Sequence, residues 1–294
     1  MEPLSTNRSP DFRSAHSLDE ALAALGELGE AATILAGGTD VMIQHLRGEI
    51  APECLLHIEN VTELKDVTSS ADVLTVGSMV THRRVGRDKE LAARLPALAE
   101  ACLTVGGWQT QAVGTVVGNL CNASPAADTV PALLTADAVV HLASKNETRT
   151  IPVREFVTGR RSNAARSDEL VTALDLQACR PGSGEVYLKV APRTAMEVAV
   201  VGLAVRLTLD GGYVTDARVA AGAIAPIPFR APEAEGILTG SELEPDAVDE
   251  AAHLLASRAR PIDDPRANAS YRHKVIRRLL RRAVDIAAGR ASEG

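Results

Sequence analysis

Two glycine-containing segments carry residues whose types and spacing suit the binding of an anion. The first, 35 to 40, reads Leu-Ala-Gly-Gly-Thr-Asp and directly follows an apolar stretch. The second, 115 to 119, reads Thr-Val-Val-Gly-Asn and leads to Ser-Pro-Ala-Ala-Asp at 124 to 128. Glycine lets backbone N–H groups approach an anion closely, and short Thr, Ser and Asn side chains add neutral donors. The pair predicts a clamp for a diphosphate.

Other common sites do not fit the spacing of this sequence. No G-x-G-x-x-G follows a predicted strand, and neither G-x-x-x-x-G-K-[ST] nor G-x-S-x-G occurs. The seven histidines contain no H-x-x-x-H pair, and the four cysteines contain no C-x-x-C pair. We therefore expect no metal site on this chain. No acid–base or nucleophile constellation stands out, so no catalytic residue is predicted.

Composition and charge narrow the class of protein. The chain has 294 residues, of which 46% are hydrophobic and 23% charged, as in soluble globular proteins of two or three modest domains. Its apolar runs are shorter than the roughly 20 residues that span a bilayer, and the N-terminus lacks a signal pattern. A cytoplasmic protein without a membrane span is expected. The net charge of −7 argues against a nucleic-acid partner.

Periodicity predicts alternating helices and strands before the turn-rich stretch 179 to 184. Ser17 and Glu20 form a capping box ahead of a helix that reaches Gly29. Pro96 is expected to kink or divide a helix over 89 to 102. The other predicted elements are strands at 32–36, 55–58, 73–76, 138–142 and 169–176 and a helical stretch at 131–135. This alternation indicates an α/β or α+β fold.

The last third has a different character. Strands are predicted at 186–190, 198–209 and 217–224, the last two joined through Asp210-Gly211-Gly212. Helices are predicted at 246–258 and 268–288, which gives a three-stranded antiparallel sheet with helices on one side. The last helix carries a basic face, which is either solvated or a docking surface for an acidic partner. Its members are Lys274, Arg277, Arg278, Arg281 and Arg282.

Four motifs in order give the sequence a family resemblance. They are Ala-Gly-Gly-Thr-Asp at 36–40, Gly-Ser-Met-Val-Thr-His at 77–82, Thr-Val-Val-Gly-Asn at 115–119, and Lys189 with Arg-Thr-Ala-Met-Glu at 193–197. The sequence resembles the FAD-binding medium subunit of molybdenum hydroxylases. That family includes the flavin subunits or domains of xanthine dehydrogenase, carbon monoxide dehydrogenase and bacterial N-heterocycle dehydrogenases. The resemblance extends over nearly the whole chain.

The resemblance implies the fold and the cofactor site. It implies an α+β, two-subdomain FAD-binding fold of the PCMH type at 1–180, with subdomains at roughly 1–60 and 61–180, and a C-terminal subdomain at 181–294. The first glycine segment and residues 115–119 would hold the diphosphate, and Asp128 the ribose or adenine end. Leu170 would lie near the flavin, and Lys189 would approach the isoalloxazine ring. The full implied set is Leu35, Ala36, Gly37, Gly38, Thr39, Asp40, Thr115, Val117, Gly118, Asn119, Asp128, Leu170 and Lys189.

Val117 departs from the family pattern, which carries a glycine at this position. Because valine does not readily adopt a positive φ, we expect either an extended conformation at Val117 or a reshaped loop.

The resemblance also implies a function. The chain would be the FAD-containing electron-transfer subunit of a heteromeric molybdenum hydroxylase, taking electrons from a small 2Fe-2S subunit and passing them to an external acceptor. A large subunit would carry the molybdenum cofactor, in a heterotrimer or a dimer of heterotrimers. Two alternatives stay open: an autonomous flavin reductase of the same fold, similar to the cell-wall enolpyruvyl reductase, and an assembly subunit without flavin.

Overall fold

The computed structural model describes residues 9–193 and 195–293; Thr194, part of the fourth motif, lies outside them. The strands in this part of the chain are β1 (Asp11–Ser14), β2 (Ala32–Leu35), β3 (Cys54–His57), β4 (Val67–Ser69), β5 (Val73–Gly77), β6 (Val139–Ala143), β7 (Thr148–Pro152), β8 (Val157–Gly159), β9 (Ser162–Asn163), β10 (Leu170–Gln177), β11 (Ser183–Val190), β12 (Val201–Asp210), β13 (Tyr213–Gly222) and β14 (Phe229–Arg230). The α-helices are α1 (Leu18–Leu28), α2 (Val41–Leu46), α3 (His82–Arg87), α4 (Lys89–Arg94), α5 (Pro96–Thr104), α6 (Trp108–Val113), α7 (Val116–Cys121), α8 (Thr129–Thr135), α9 (Val153–Phe156), α10 (Pro232–Leu238), α11 (Pro245–Arg258) and α12 (Ala269–Glu293).

The first sheet is parallel and has the strand order β1-β3-β2. Helix α1 packs against it, and its start is set by the predicted capping box. The N–H of Glu20 donates to Oγ of Ser17 at 3.2 Å, and the Glu20 carboxylate accepts the N–H of His16 at 2.8 Å. These bonds satisfy backbone donors that the first helical turn leaves without partners. Gly29, with φ of 53°, ends α1 as predicted.

The second sheet is antiparallel, with the order β4-β5-β10-β6-β7. Helices α5, α7 and α8 share its apolar core. Pro96 divides the predicted helix: α4 ends at Arg94, Leu95 leaves helical geometry with ψ of 59°, and α5 begins at Pro96. Proline suits that first position because its missing N–H would have no helical partner there.

The third sheet is antiparallel, with the order β11-β12-β13-β14, and α12 lies along β11 and β12. The three predicted strands are present, and two-residue β14 adds a fourth that is too short to give a sequence signal. In the basic face of α12, Arg277 contacts His253 and Arg281 pairs with Asp249, both on α11. Part of that face therefore serves the packing of α11 on α12.

Parallel and antiparallel sheets in separate layers make the fold α+β. None of the helices in the described residues combines the length and apolarity that a bilayer crossing requires. The first glycine segment follows the carboxyl end of β2, where parallel sheets place ligands.

A substitution at Gly184 tests the packing of α12 on β11. A Cβ at this position would overlap the carbonyl oxygen of Ala287 and come 2.6 Å from the nitrogen of Ala291. We expect Gly184→Ala to lower the free energy of unfolding by about 1–3 kcal/mol, because the helix backbone must move. Urea unfolding followed by circular dichroism measures this change.

The matched control is Gly289→Ala on α12, where a Cβ meets nothing within 4 Å. It should raise the free energy of unfolding by about 0.5–1 kcal/mol through helix propensity. Equal effects of the two substitutions would contradict the close helix–strand contact.

Candidate functional site

The first glycine segment is pressed against a distant part of the backbone. β2 ends at Leu35, and Gly38 turns the chain with φ of 68°. A Cβ at Gly37 would overlap the carbonyl oxygen of Val113 and lie 2.9 Å from the nitrogen of Gly114. Only glycine allows this approach of two backbones. The contact brings the first glycine segment directly against the residues that precede the second.

The second glycine segment starts a helix and is not the open loop that the sequence predicted. Thr115 caps α7, and its Oγ1 accepts the N–H of Gly118 at 2.9 Å. Val117 lies in the first turn of α7 and is buried in the core. Of the two outcomes expected for Val117, the extended conformation is wrong, because Val117 is helical; a segment reshaped relative to the family stays a prediction. A helical φ is negative, so valine is accommodated without backbone strain.

Both glycine segments line a cavity of about 970 Å³. The predicted site residues in its wall are Ala36, Gly37, Gly38, Thr39, Asp40, Thr115, Val117, Gly118, Asn119, Asp128 and Leu170. Leu35 is buried at the end of β2, and Lys189 contacts a wall residue, Asp128. The volume is at the upper end of the range of about 300–1,000 Å³ that is typical of pockets for small molecules and cofactors.

Asp128 is a buried acidic group of the cavity wall. Its Oδ1 accepts the hydroxyl of Tyr187 at 2.7 Å, and its Oδ2 accepts Nζ of Lys189 at 2.8 Å. Lys189 also donates to the carbonyl oxygen of Thr104 at 3.0 Å. Burial raises the pKa of Asp128, and the Lys189 ammonium opposes that rise. A buried carboxylate needs such partners, so β11 of the third sheet completes this part of the site.

Gly202 on β12 makes room for the Tyr187 ring. A Cβ at Gly202 would stand 2.6 Å from the Tyr187 hydroxyl oxygen. The small residue therefore lets the phenol reach Asp128 across the sheet surface.

The structure pairs Asp128 with Lys189, two residues to which the family resemblance implied different roles. That resemblance put Asp128 at the ribose or adenine end of the dinucleotide and Lys189 at the isoalloxazine ring. Oδ2 of Asp128 and Nζ of Lys189 are 2.8 Å apart, and the roles of the two residues toward FAD stay predictions. The separation of these two residues in sequence gave no sign of their contact.

The cavity wall also has apolar side chains, many of them from residues before 60. Its apolar members include Leu25, Ile34, Ile58 and Leu170. All four belong to, or pack against, the core cluster that joins the first and second sheets. The cavity wall thus combines apolar side chains with charged ones, which include Asp40, Asp128, Arg161 and Glu169.

The cavity wall also contains Ser78 and His82, for which the sequence suggested no role. Both lie in the Gly-Ser-Met-Val-Thr-His motif, so the motif itself was the available signal. Arg161 is a further lining residue, at φ of 57°, and its charge opposes the rise that burial causes in the pKa of Asp40.

Comparison with known proteins defines the class. A family model described as the FAD binding domain in molybdopterin dehydrogenase matches residues 8–176. A second model, the CO dehydrogenase flavoprotein C-terminal domain, matches residues 186–287. The chain therefore has the domains of an FAD-binding flavoprotein.

Relatives in sequence and structure cover almost the whole chain. The carbon monoxide dehydrogenase medium chain of Afipia carboxidovorans is 33% identical over 284 residues, covering 96% of this chain and 97% of its own. A putative xanthine dehydrogenase FAD-binding subunit of Escherichia coli is 29% identical over 286 residues, covering 96% of this chain and 98% of its own. Reconstituted CO dehydrogenase from Oligotropha carboxidovorans superposes with a TM-score of 0.93 at 30% identity, covering 96% of this chain and 99% of its own.

This chain belongs to the family of FAD-binding medium subunits of molybdenum hydroxylases, which are oxidoreductases.

His82 makes the stability of this protein depend on pH. Burial lowers the pKa of His82 to about 4, against about 6.5 for an unfolded histidine. Below pH 6.5 the unfolded chain therefore binds a proton that the folded site does not, and stability falls until the pH passes below about 4. We expect this group to remove about 2 kcal/mol of stability between pH 7 and pH 5.

Urea unfolding at the two pH values measures this loss. His82→Gln has no buried imidazole, so it should not show this loss of stability on acidification. The exposed control His16→Gln should lose as much stability as the wild type. An unchanged acid sensitivity in His82→Gln would contradict a neutral buried imidazole.

Proposed function

We propose that this chain is the electron-transfer subunit of a heteromeric molybdenum hydroxylase. It would hold FAD in the cavity, accept electrons from a small 2Fe-2S subunit and pass them to an external acceptor. A large subunit with the molybdenum cofactor would complete a heterotrimer or a dimer of heterotrimers. The relatives named medium chains support a multi-subunit assembly. The division of the chain at residues 60 and 180 stays a prediction.

The contact between Gly37 and Val113 is the observation that carries this proposal. It brings two segments that are far apart in the sequence into one cavity wall that contains glycines and short polar side chains. Such a wall suits a diphosphate, because N–H and hydroxyl donors approach an anion without bulk. FAD, when bound, supplies the redox chemistry, and the protein supplies binding, orientation and local charge.

We infer an orientation for the dinucleotide from the residues of the cavity wall. The adenine would lie against Leu25, Ile34 and Ile58, because a flat aromatic ring gains from apolar burial. The flavin end would then lie toward Asp128 and Lys189. A buried ammonium there favours negative charge on a nearby group, while the paired Asp128 limits that effect.

A visible absorption spectrum tests the function. The chain should be yellow when purified, release FAD on denaturation, and be bleached by substrate only when its partner subunits are present. Bleaching by a nicotinamide with this chain alone would instead support an autonomous flavin reductase. A colourless chain that does not take up FAD would support an assembly subunit.

Gly37→Ala tests the cavity wall itself. Because Val113 must move to admit the methyl group, we expect FAD affinity to fall by about ten-fold or more, equivalent to about 1.4 kcal/mol. Fluorescence titration of the FAD-free chain measures the change.

Gly26→Ala is the matched control, since its Cβ on α1 meets nothing within 4 Å and FAD affinity should be unchanged. Normal FAD binding by Gly37→Ala would mean that the diphosphate is held elsewhere.

A further inference from the structure

The Gly-Ser-Met-Val-Thr-His motif is joined to the second glycine segment by backbone contacts. β5 ends at Gly77, and the chain then runs through Ser78 to the start of α3. The N–H of His82 donates to the carbonyl oxygen of Gly114 at 3.0 Å. Thr81 also forms an isolated antiparallel bridge with Thr115. The motif therefore forms a second layer directly behind the glycine segments.

Two side chains of this motif have polar atoms without partners in the described part of the chain. They are Oγ of Ser78 and Nδ1 of His82, on residues that are 3% and 2% exposed. Both residues line the cavity. A buried polar atom left without a hydrogen bond costs about 1–3 kcal/mol. Oγ of Ser78 is therefore available to a ligand, whereas unpartnered Nδ1 of His82 bears on which ring nitrogen carries the proton.

The ring of His82 lies at the junction of the two glycine segments. A Cβ added to Gly114 would lie 3.3 Å from Cδ2 of His82 and 3.4 Å from Oγ1 of Thr39. Nε2 is bonded to Cδ2, so this side of the ring faces the junction. Nδ1, on the other side, is enclosed.

The protonation state of His82 suits a donor to an anion. Burial lowers the pKa of His82 to about 4 and is the only cause of that shift, so the ring is neutral at pH 7. A neutral imidazole carries one N–H, and the proton belongs on Nε2, because an N–H at enclosed Nδ1 would have no acceptor. Phosphate oxygens are strong acceptors. A neutral donor also avoids a buried charge when the ligand is absent.

We propose that His82 donates a hydrogen bond to the ligand's diphosphate from behind the glycine segments, with Ser78 as a second donor in the same wall. This inference rests on the proposed FAD site and adds two ligand-binding residues to it. The glycine segments would supply backbone donors to the diphosphate, and the motif would add side-chain donors from the same wall.

The experiment compares FAD with two ligands that each contain one part of it: ADP contains a diphosphate, and riboflavin contains none. FAD, ADP and riboflavin are titrated into the FAD-free full chain, ADP by competition with FAD. The variants are His82→Leu, which removes the ring nitrogens, His82→Gln, which keeps an N–H donor, and Ser78→Ala. His16→Leu is the control at an exposed histidine.

His82→Leu should weaken FAD and ADP by about ten-fold, the loss of one hydrogen bond to a charged group, and leave riboflavin unchanged. His82→Gln should restore most of the affinity for FAD and ADP. Ser78→Ala should weaken the same two ligands by about five-fold without lowering the melting temperature of the FAD-free chain, since its buried hydroxyl has no hydrogen-bond partner among the described residues.

Three results would overturn the inference. They are unchanged FAD affinity in His82→Leu, equal weakening of all three ligands, and unchanged ADP affinity in Ser78→Ala. If His82→Leu does not fold, Ser78→Ala and His82→Gln still decide the matter. A wild-type chain that binds no FAD would instead overturn the proposed function, so the two failures are distinguishable.

Discussion

The backbone contact between Gly37 and Val113 is the constraint on which the cavity depends. It joins the segment after β2 of the first sheet to the end of α6. The two backbones are so close that a Cβ at Gly37 would not fit between them. Hydrogen bonding between His82 and Gly114, and the bridge from Thr81 to Thr115, hold the other side of that junction. Segments far apart in the chain therefore form one continuous wall, and its spacing is set by backbone atoms rather than by adjustable side chains.

A buried charge attaches the C-terminal subdomain to this wall. Asp128 is kept in the cavity wall by Tyr187 and Lys189 of β11, and Gly202 of β12 leaves the space that Tyr187 needs. Removing one partner of a buried charge pair is strongly destabilising, because the other charge is left without compensation. The third sheet is thus part of the site, although most of its own core lies around α10, α11 and α12.

Elements with strong local signals were predictable, and short ones were not. The capping box at Ser17, the division at Pro96 and the hairpin at Asp210 each depend on a few neighbouring residues, and the structure has all three. Strands such as β1 and β14 have two to four residues and are held by partners elsewhere in the chain. So short a segment cannot show a clear period, and its structure comes from tertiary pairing. The helix α7 was missed for the same reason.

The sequence by itself determined the family, the FAD-binding class and the positions of the glycines, because these depend on residue types at fixed local spacing. Only the tertiary structure decided that Asp128 and Lys189 form one pair, that Val117 is helical, and that His82 is buried without a charge. Charge pairing and desolvation depend on which distant residues pack together. That information is spread over the whole chain, so no local pattern contains it.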